Sequence, residues 1–189
     1  MKRIAVLLIP ATVLALAACT HTVRPTAAAT TTTTPTSTAS SPTESPGRCH
    51  TADLSLTLGR GSAAAGTQHQ FLVFTNKSGQ PCTLYGYPGV SWVAGDQGTQ
   101  VNDPFQRIDP DHRTHLTLAP GQQANAVLVT HTAENYPAAT CKPVPVRGFR
   151  VYPPDETAAV FVAQASTACS VHGVGLAQVQ PLTAGPGSE

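Results

Sequence analysis

The sequence is poor in charge. Eleven Lys or Arg and ten Asp or Glu make up 11% of its 189 residues, against about a quarter in an ordinary domain. A formal net charge of +1 gives no electrostatic footprint for nucleic acid and no basic patch for anionic lipid. Methionine occurs once, at position 1, so the soft thioether ligand that Cu(I) favours is missing. No C-x-x-C pair is present, which argues against a thiolate zinc site. No G-x-S-x-G nucleophile elbow is present either, and Gly59-Arg-Gly-Ser62 lacks the lysine of a phosphate loop. No segment keeps a 3.6-residue apolar period. These absences exclude a helical bundle and a nucleic-acid binder. They leave no motif for an enzyme and imply no cofactor.

What is present begins with an export signal. Lys2 and Arg3 precede a short apolar segment, Ile4 to Leu16, interrupted at Pro10. That segment is too short for a bilayer helix, which needs about 20 residues. Leu16-Ala17-Ala18-Cys19 then has the form of a bacterial lipobox. The pattern predicts a signal peptide over residues 1–18, cleavage before Cys19 and a diacylglyceryl thioether on that sulfur. An ordinary secretory signal with an incidental cysteine is the alternative. One lipid chain anchors only marginally, so stable attachment calls for further acylation of the new amino terminus. The expected location is the outer face of the cytoplasmic membrane, with the membrane a partner through the anchor. Residues 19–47 follow as a linker. Fifteen of the 28 residues from Thr20 to Gly47 are Ser or Thr and four are Pro, which predicts a disordered tether.

Beyond Cys19, four cysteines remain: Cys49, Cys82, Cys141 and Cys169. An even number in an exported chain reads as two disulfides, with three pairings open. Cys49–Cys82 and Cys141–Cys169 are favoured, because each closes a loop of about 30 residues and would contribute roughly 3–4 kcal/mol in the chain-entropy model.

From Arg48 onward, short strands alternate with turn signals. Leu54, Leu56 and Leu58 share one face of the first, and Gly59 to Gly66 reads as a small-residue loop. Gln68 to Asn76 contains Phe71, Leu72, Val73 and Phe74 in succession, so both faces of that strand should be covered. Cys82 to Tyr85, Val90 to Ala94, Thr114 to Leu118 and Gln123 to Thr130 read as further strands, with Gly95 to Gly98 a hairpin turn. Asn102 to Asp111 reads as a polar loop, and Ala133 to Val146 as a long stapled connection. Phe149 to Tyr152 and Ala158 to Ala163 form a hairpin around Pro153-Pro154, and Gly175 to Leu182 is the last strand. About eight or nine short strands in residues 48–182 predict an all-β, immunoglobulin-like antiparallel β-sandwich, with 183–189 a flexible tail. Trp92, following Cys82, is similar to the core tryptophan of such folds, although the favoured disulfide does not cross the sheets in the antibody manner.

The run from Phe74 to Val90 (FTNKSGQPCTLYGYPGV), the later Leu118-Ala-Pro-Gly121, and the Pro-Pro turn after Phe149-Arg-Val-Tyr152 resemble a family of unknown function. Its members are common among actinobacterial lipoproteins and secreted proteins, with four cysteines in one small β domain. The likeness covers about Arg48 to Leu182. It implies an envelope location and an immunoglobulin-like sandwich, and it brings no activity and no functional residues.

Two groups of residues are candidates for chemistry. Asp109, Asp111, His112 and His115 lie in one polar stretch, and a curled loop would let them converge on a divalent metal or small ligand. Strand parity instead puts His115 on the solvent face, opposite Leu116. Tyr85, Tyr87 and Trp92 are the one aromatic concentration and offer a flat amphipathic surface for an envelope protein or glycan. The plain alternative is a tyrosine packed over the Pro88 corner. Asn76-Lys77-Ser78 matches a glycosylation sequon but carries little weight in a bacterial lipoprotein. The function expected from the sequence is a non-catalytic, extracytoplasmic binding domain.

Overall fold

The computed structural model describes residues 45–94 and 98–187. The signal segment, Cys19, most of the tether and residues 95–97 of the expected hairpin turn lie outside these residues. A short 3-10 turn at Thr51–Asp53 leads into β1 (Leu54–Ala64), which pairs with β2 (Thr67–Asn76). Then come β3 (Cys82–Tyr85), β4 (Gly89–Ala94), β5 (Thr99–Val101) and the two-residue β6 (Gln106–Arg107). After a 3-10 turn at Pro110–His112 the chain forms β7 (His115–Leu118) and β8 (Gln123–His131). A second 3-10 turn at Ala133–Asn135 and a four-residue helix, Ala138–Cys141, lead to β9 (Pro143–Tyr152) and β10 (Val160–Cys169). Two short pieces, β11 (Gln178–Val179) and β12 (Thr183–Ala184), end the described chain.

The strands form one sheet in the order β1-β2-β8-β11-β6, with β12 also on β8, and a second in the order β10-β9-β4-β5. A two-stranded sheet of β3 and β7 accompanies them. Among the described residues the strands pair antiparallel except β11 with β6, and an isolated bridge between Arg48 and Thr83 is also parallel. Leu72, Phe74, Ala126 and Leu128 point inward from the first sheet and meet Val90, Trp92, Phe149, Val151 and Val162 from the second. Leu84 and Leu118 of the small sheet join the same core. Trp92 lies 4.3 Å from Phe149, and Phe105 meets both rings edge-on at 5.9 and 5.7 Å. Such pairs contribute about 0.5–1.5 kcal/mol each beyond their area burial. The fold is an all-β sandwich.

Four stretches differ from the sequence expectation. Gly59 to Ala64 is strand rather than loop: β1 passes through a bulge between Leu58 and Gly61 and continues along β2 to the turn. Ala65 and Gly66 both have positive φ, 48° and 76°, as a two-residue type I′ hairpin requires. Alanine replaces the usual Asn or Asp there, so the turn carries no familiar signal. Gly59 also allows close approach, since a Cβ on it would lie 3.0 Å from Val73 Cγ2. Pro143 to Val146 belongs to β9, not to the connection, because it pairs with the far end of β10. The polar loop after Asn102 contains the buried Phe105 and the short β6.

The last strand is split. Gln178–Val179 and Thr183–Ala184 both pair with β8, in registers offset by one residue. Residues 183–187, read as flexible tail, are held down: Gly185 N–H donates to Gln123 O at 2.8 Å, and Asn125 Nδ2 donates to Gly185 O at 3.0 Å. Gly187 then lies against the Phe71 ring. This explains the unbroken apolar run of β2. Leu72 and Phe74 face the core, and Phe71 and Val73 face outward beside Pro186 and Gly187.

Candidate functional site: a polar cleft between the sheets

The structure separates the three aromatics read as one surface. Trp92 is 8% exposed and belongs to the core. Tyr87 is buried over the Pro88 corner, its hydroxyl donating to Ile108 O at 2.7 Å. The Arg107 guanidinium sits 5.6 Å from the centre of its ring. Only Tyr85 reaches solvent, stacked on His115 with ring centroids 4.1 Å apart. Parity is the reason: Cys82 and Leu84 point inward from β3, so Tyr85 must point out, and Trp92 faces Phe149 across the β4–β9 pairing.

Nor does the Asp109–His115 stretch converge. Asp109 adopts φ 56° as the cap of the 3-10 turn carrying Asp111 and His112, while His115 is on β7 against Tyr85. Among the described residues no three His, Cys, Asp or Glu side chains are placed to hold a metal ion. Cys19 lies outside the described residues.

Cys49 is joined to Cys82, with Cα atoms 4.8 Å apart, and Cys141 to Cys169, 4.6 Å apart. The first bridge fixes the segment entering the domain to β3, where Cys49 N–H also donates to Thr83 O. The second ties the short helix after β8 to the end of β10 and packs with Ala133, Tyr136 and Val174 in a small separate cluster.

That second bridge frames a feature the sequence reading missed. Where the sheets part, a cleft of about 300 Å³ opens between β2 and β8 on one side and β10 on the other, and Trp92 lines it. Gln68 and Thr130 are cross-strand partners on the inward parity of the first sheet, beyond Leu72 and Leu128. Ser166 and Thr167 supply the β10 wall, just past a bulge that interrupts the β9–β10 register after Ala163. His131, Thr132 and Glu134 come from the end of β8 and the turn that follows it. One signal was legible: Gln68 and Gln70 continue the inward parity of Leu72 and Phe74, and polar residues at inward positions mark where a core ends.

The cleft contains a serine, a histidine and a glutamate but not an assembled triad. His131 Nδ1 lies 3.3 Å from Thr67 Oγ1, and among the described residues no hydrogen bond joins it to Ser166 or Glu134. A nucleophile needs its base within about 2.6–3.2 Å.

The two strongest carboxylate clusters lie elsewhere, and both serve as clasps. Glu156, on the turn after Pro153-Pro154, accepts from Thr51 N–H at 2.9 Å and from the Thr51 hydroxyl at 3.0 Å. His50 Nδ1 and Arg48 Nε approach it at 3.1 and 3.2 Å. The Thr51 N–H, chiefly, and then the Thr51 hydroxyl and His50 hold the Glu156 carboxyl below its usual range, against an opposing desolvation. Asp103 is lowered in the same sense, first by its hydrogen bond with His172 at 2.7 Å. Glu156 fastens the domain's entry segment to the β9–β10 turn; Asp103 fastens the loop after β5 to the loop after β10.

A search of curated proteins returns no match. A family model described as a domain of unknown function, DUF4232, matches residues 49–183, from the first cysteine of the domain to the first residue of β12. The three stretches of sequence whose likeness suggested such a family all fall inside this span, and the chain belongs to that family of domains of unknown function.

Proposed function

We propose that this chain is an extracytoplasmic lipoprotein of the cell envelope, of the kind found in actinobacteria, and that its domain is a non-catalytic binding module. The lipobox ending at Cys19 and the Ser/Thr/Pro-rich tether support the anchored location. Two disulfides, both within the domain, suit an oxidising compartment. The observation that carries the binding reading is the cleft. Its walls are paired strands, and Cys141–Cys169 packs on Ala133, between the lining residues Thr132 and Glu134. A concave site lined by polar side chains and an aromatic ring suits recognition, and the unassembled serine, histidine and glutamate favour recognition over turnover. The domain therefore presents the cleft to an envelope glycan or protein while the tether gives it reach.

Two measurements test this. Native mass spectrometry of protein extracted gently from its own membranes should show a diacylglyceryl-bearing Cys19 and a discrete bound mass. A Cys19→Ala variant should lose its membrane attachment. An unlipidated mature chain overturns the anchoring. A robust turnover by the purified protein, abolished by a single cleft substitution, overturns the non-catalytic role.

A further inference from the structure

The chemistry lining the cleft narrows the ligand, an inference that rests on the binding reading above. Most of the lining side chains are uncharged: Gln68, Thr130, Thr132, Ser166, Thr167 and Trp92. Hydroxyls and carboxamides both donate and accept hydrogen bonds. No Lys or Arg lines the cleft, and its one carboxylate, Glu134, stands with His131, so an anionic ligand meets a like charge and no permanent counter-charge. A lipid tail would leave the hydroxyls and carboxamide dehydrated and unpaired, a cost of about 1–3 kcal/mol for each group so stranded.

Trp92 adds a specific element. It is more than nine-tenths buried, backed by Phe105 and Phe149. Its indole N–H donates to no acceptor among the described residues. Yet no side-chain N or O sealed inside the described structure lacks a partner, so this N–H is not sealed, and Trp92 is among the residues that line the cleft. A free donor on a side chain that lines a cleft of hydroxyls and an amide suits an acceptor-rich, uncharged ligand that can also donate. The cleft volume of about 300 Å³ is at the small end of ligand pockets, which suits a ring or two rather than a long chain.

We infer that the cleft binds a neutral saccharide segment of an envelope glycan. A ring hydroxyl or acetamido oxygen accepts from the Trp92 indole N–H. Neighbouring hydroxyls exchange hydrogen bonds with Gln68, Thr130 and Ser166, which face one another across the two sheets.

The test exploits the fact that Trp92 is the one tryptophan in the chain. In a nitrogen-15 correlation spectrum of the whole chain carrying Cys19→Ser, a single indole N–H resonance reports on the cleft. Neutral disaccharides (N,N′-diacetylchitobiose, cellobiose and mannobiose) are titrated to tens of millimolar beside digalacturonate and trialanine. At least one neutral disaccharide should move the indole resonance and the Gln68 side-chain amide saturably. Gln68→Ala should weaken that binding by about tenfold, the worth of one hydrogen bond, whereas Tyr85→Ala in the small β3–β7 sheet should leave it unchanged. Tighter binding of digalacturonate overturns the neutral class. A shift with trialanine and none with any saccharide overturns the saccharide while retaining the cleft as a binding site. No shift with any saccharide also overturns it, and the bound mass carried from the native membrane then judges the binding reading separately.

Discussion

Replacing Asn76 with alanine removes four hydrogen bonds from a side chain that has no solvent exposure. Nδ2 donates to Gln80 O at 2.8 Å and to Leu118 O at 2.9 Å. Oδ1 accepts from the N–H of Ser78 at 2.9 Å and from its hydroxyl at 2.7 Å. Ser78 and Gln80 are near solvent, so their freed groups rehydrate. The Leu118 carbonyl, which also faces Cys82 in the β3–β7 pairing, loses one donor away from water, a cost of about 1 kcal/mol. With the loss of the local turn, a net cost of about 3 kcal/mol follows, since hydrogen bonds to exposed partners contribute about 0.5–1.5 kcal/mol each and do not simply add. For a domain of this size that is a drop in Tm of about 6–12 °C. Asn76→Asp should cost more at neutral pH. A carboxylate oxygen then replaces the amide donor against two carbonyls, and the charge is buried without a partner. The extra penalty reflects a carboxyl whose folded-state pKa is raised, so it should shrink as pH falls toward the unfolded-state value of about 4. Urea unfolding with the disulfides intact, at neutral pH and near pH 4, measures both. An alanine variant within about 0.5 kcal/mol of the parent, or an aspartate variant no worse than alanine at neutral pH, would refute the reasoning.

Three further outcomes are expected. Glu156→Gln should cost about 1–3 kcal/mol at neutral pH, the worth of hydrogen bonds to a charged group. Because the carboxyl is held below its ordinary value of 4.5, the parent's advantage should be full above that pH and fade as pH falls through the lowered value; an advantage that grows in acid contradicts the assignment. Changing Cys141 and Cys169 together to Ser should lower stability by about 3.6 kcal/mol in the chain-entropy model for a separation of 28 residues. It should also speed amide exchange at Ala133–Asn135 beside the cleft, and unchanged exchange there would show that the bridge does not brace the rim. Ala65→Asn should raise the unfolding free energy by up to about 1 kcal/mol, read as a higher urea midpoint, because asparagine tolerates the left-handed conformation better; a lowered midpoint would argue against the type I′ turn.

The candidate site was much less legible in the sequence than the strands around it. A strand announces itself locally, by alternation or by β-branched and aromatic content, and β3, β4, β7 and β8 stand within a residue or so of where that pattern puts them. The cleft has no local signature. Gln68, Trp92, Glu134 and Ser166 are scattered over about a hundred residues and meet because β2, β4, β8 and β10 line one gap. Adjacency in sequence misled in the opposite direction. Tyr85, Tyr87 and Trp92 are near neighbours along the chain, but pleat and packing send one to solvent and two to the interior. Asp109 and His115 are likewise parted by the short turn and the strand between them.

The sequence by itself determined the all-β class and the family, because these rest on periodicity, turn residues and a motif that are local. Tertiary structure alone decided why that motif has separated parts. Asn76 N–H donates to Gln122 O, Gly121 N–H donates to Asn76 O, and the Asn76 amide reaches Leu118 O, so the Asn-x-Ser turn and the Leu-Ala-Pro-Gly turn are one structure. The cysteine pairs are those the loop lengths favoured, while tertiary structure likewise decided what covers the outer face of β2 and where polar residues on inward parity leave the core open. Each depends on distances between segments remote in sequence, which the chain sets only when two sheets close on a common core.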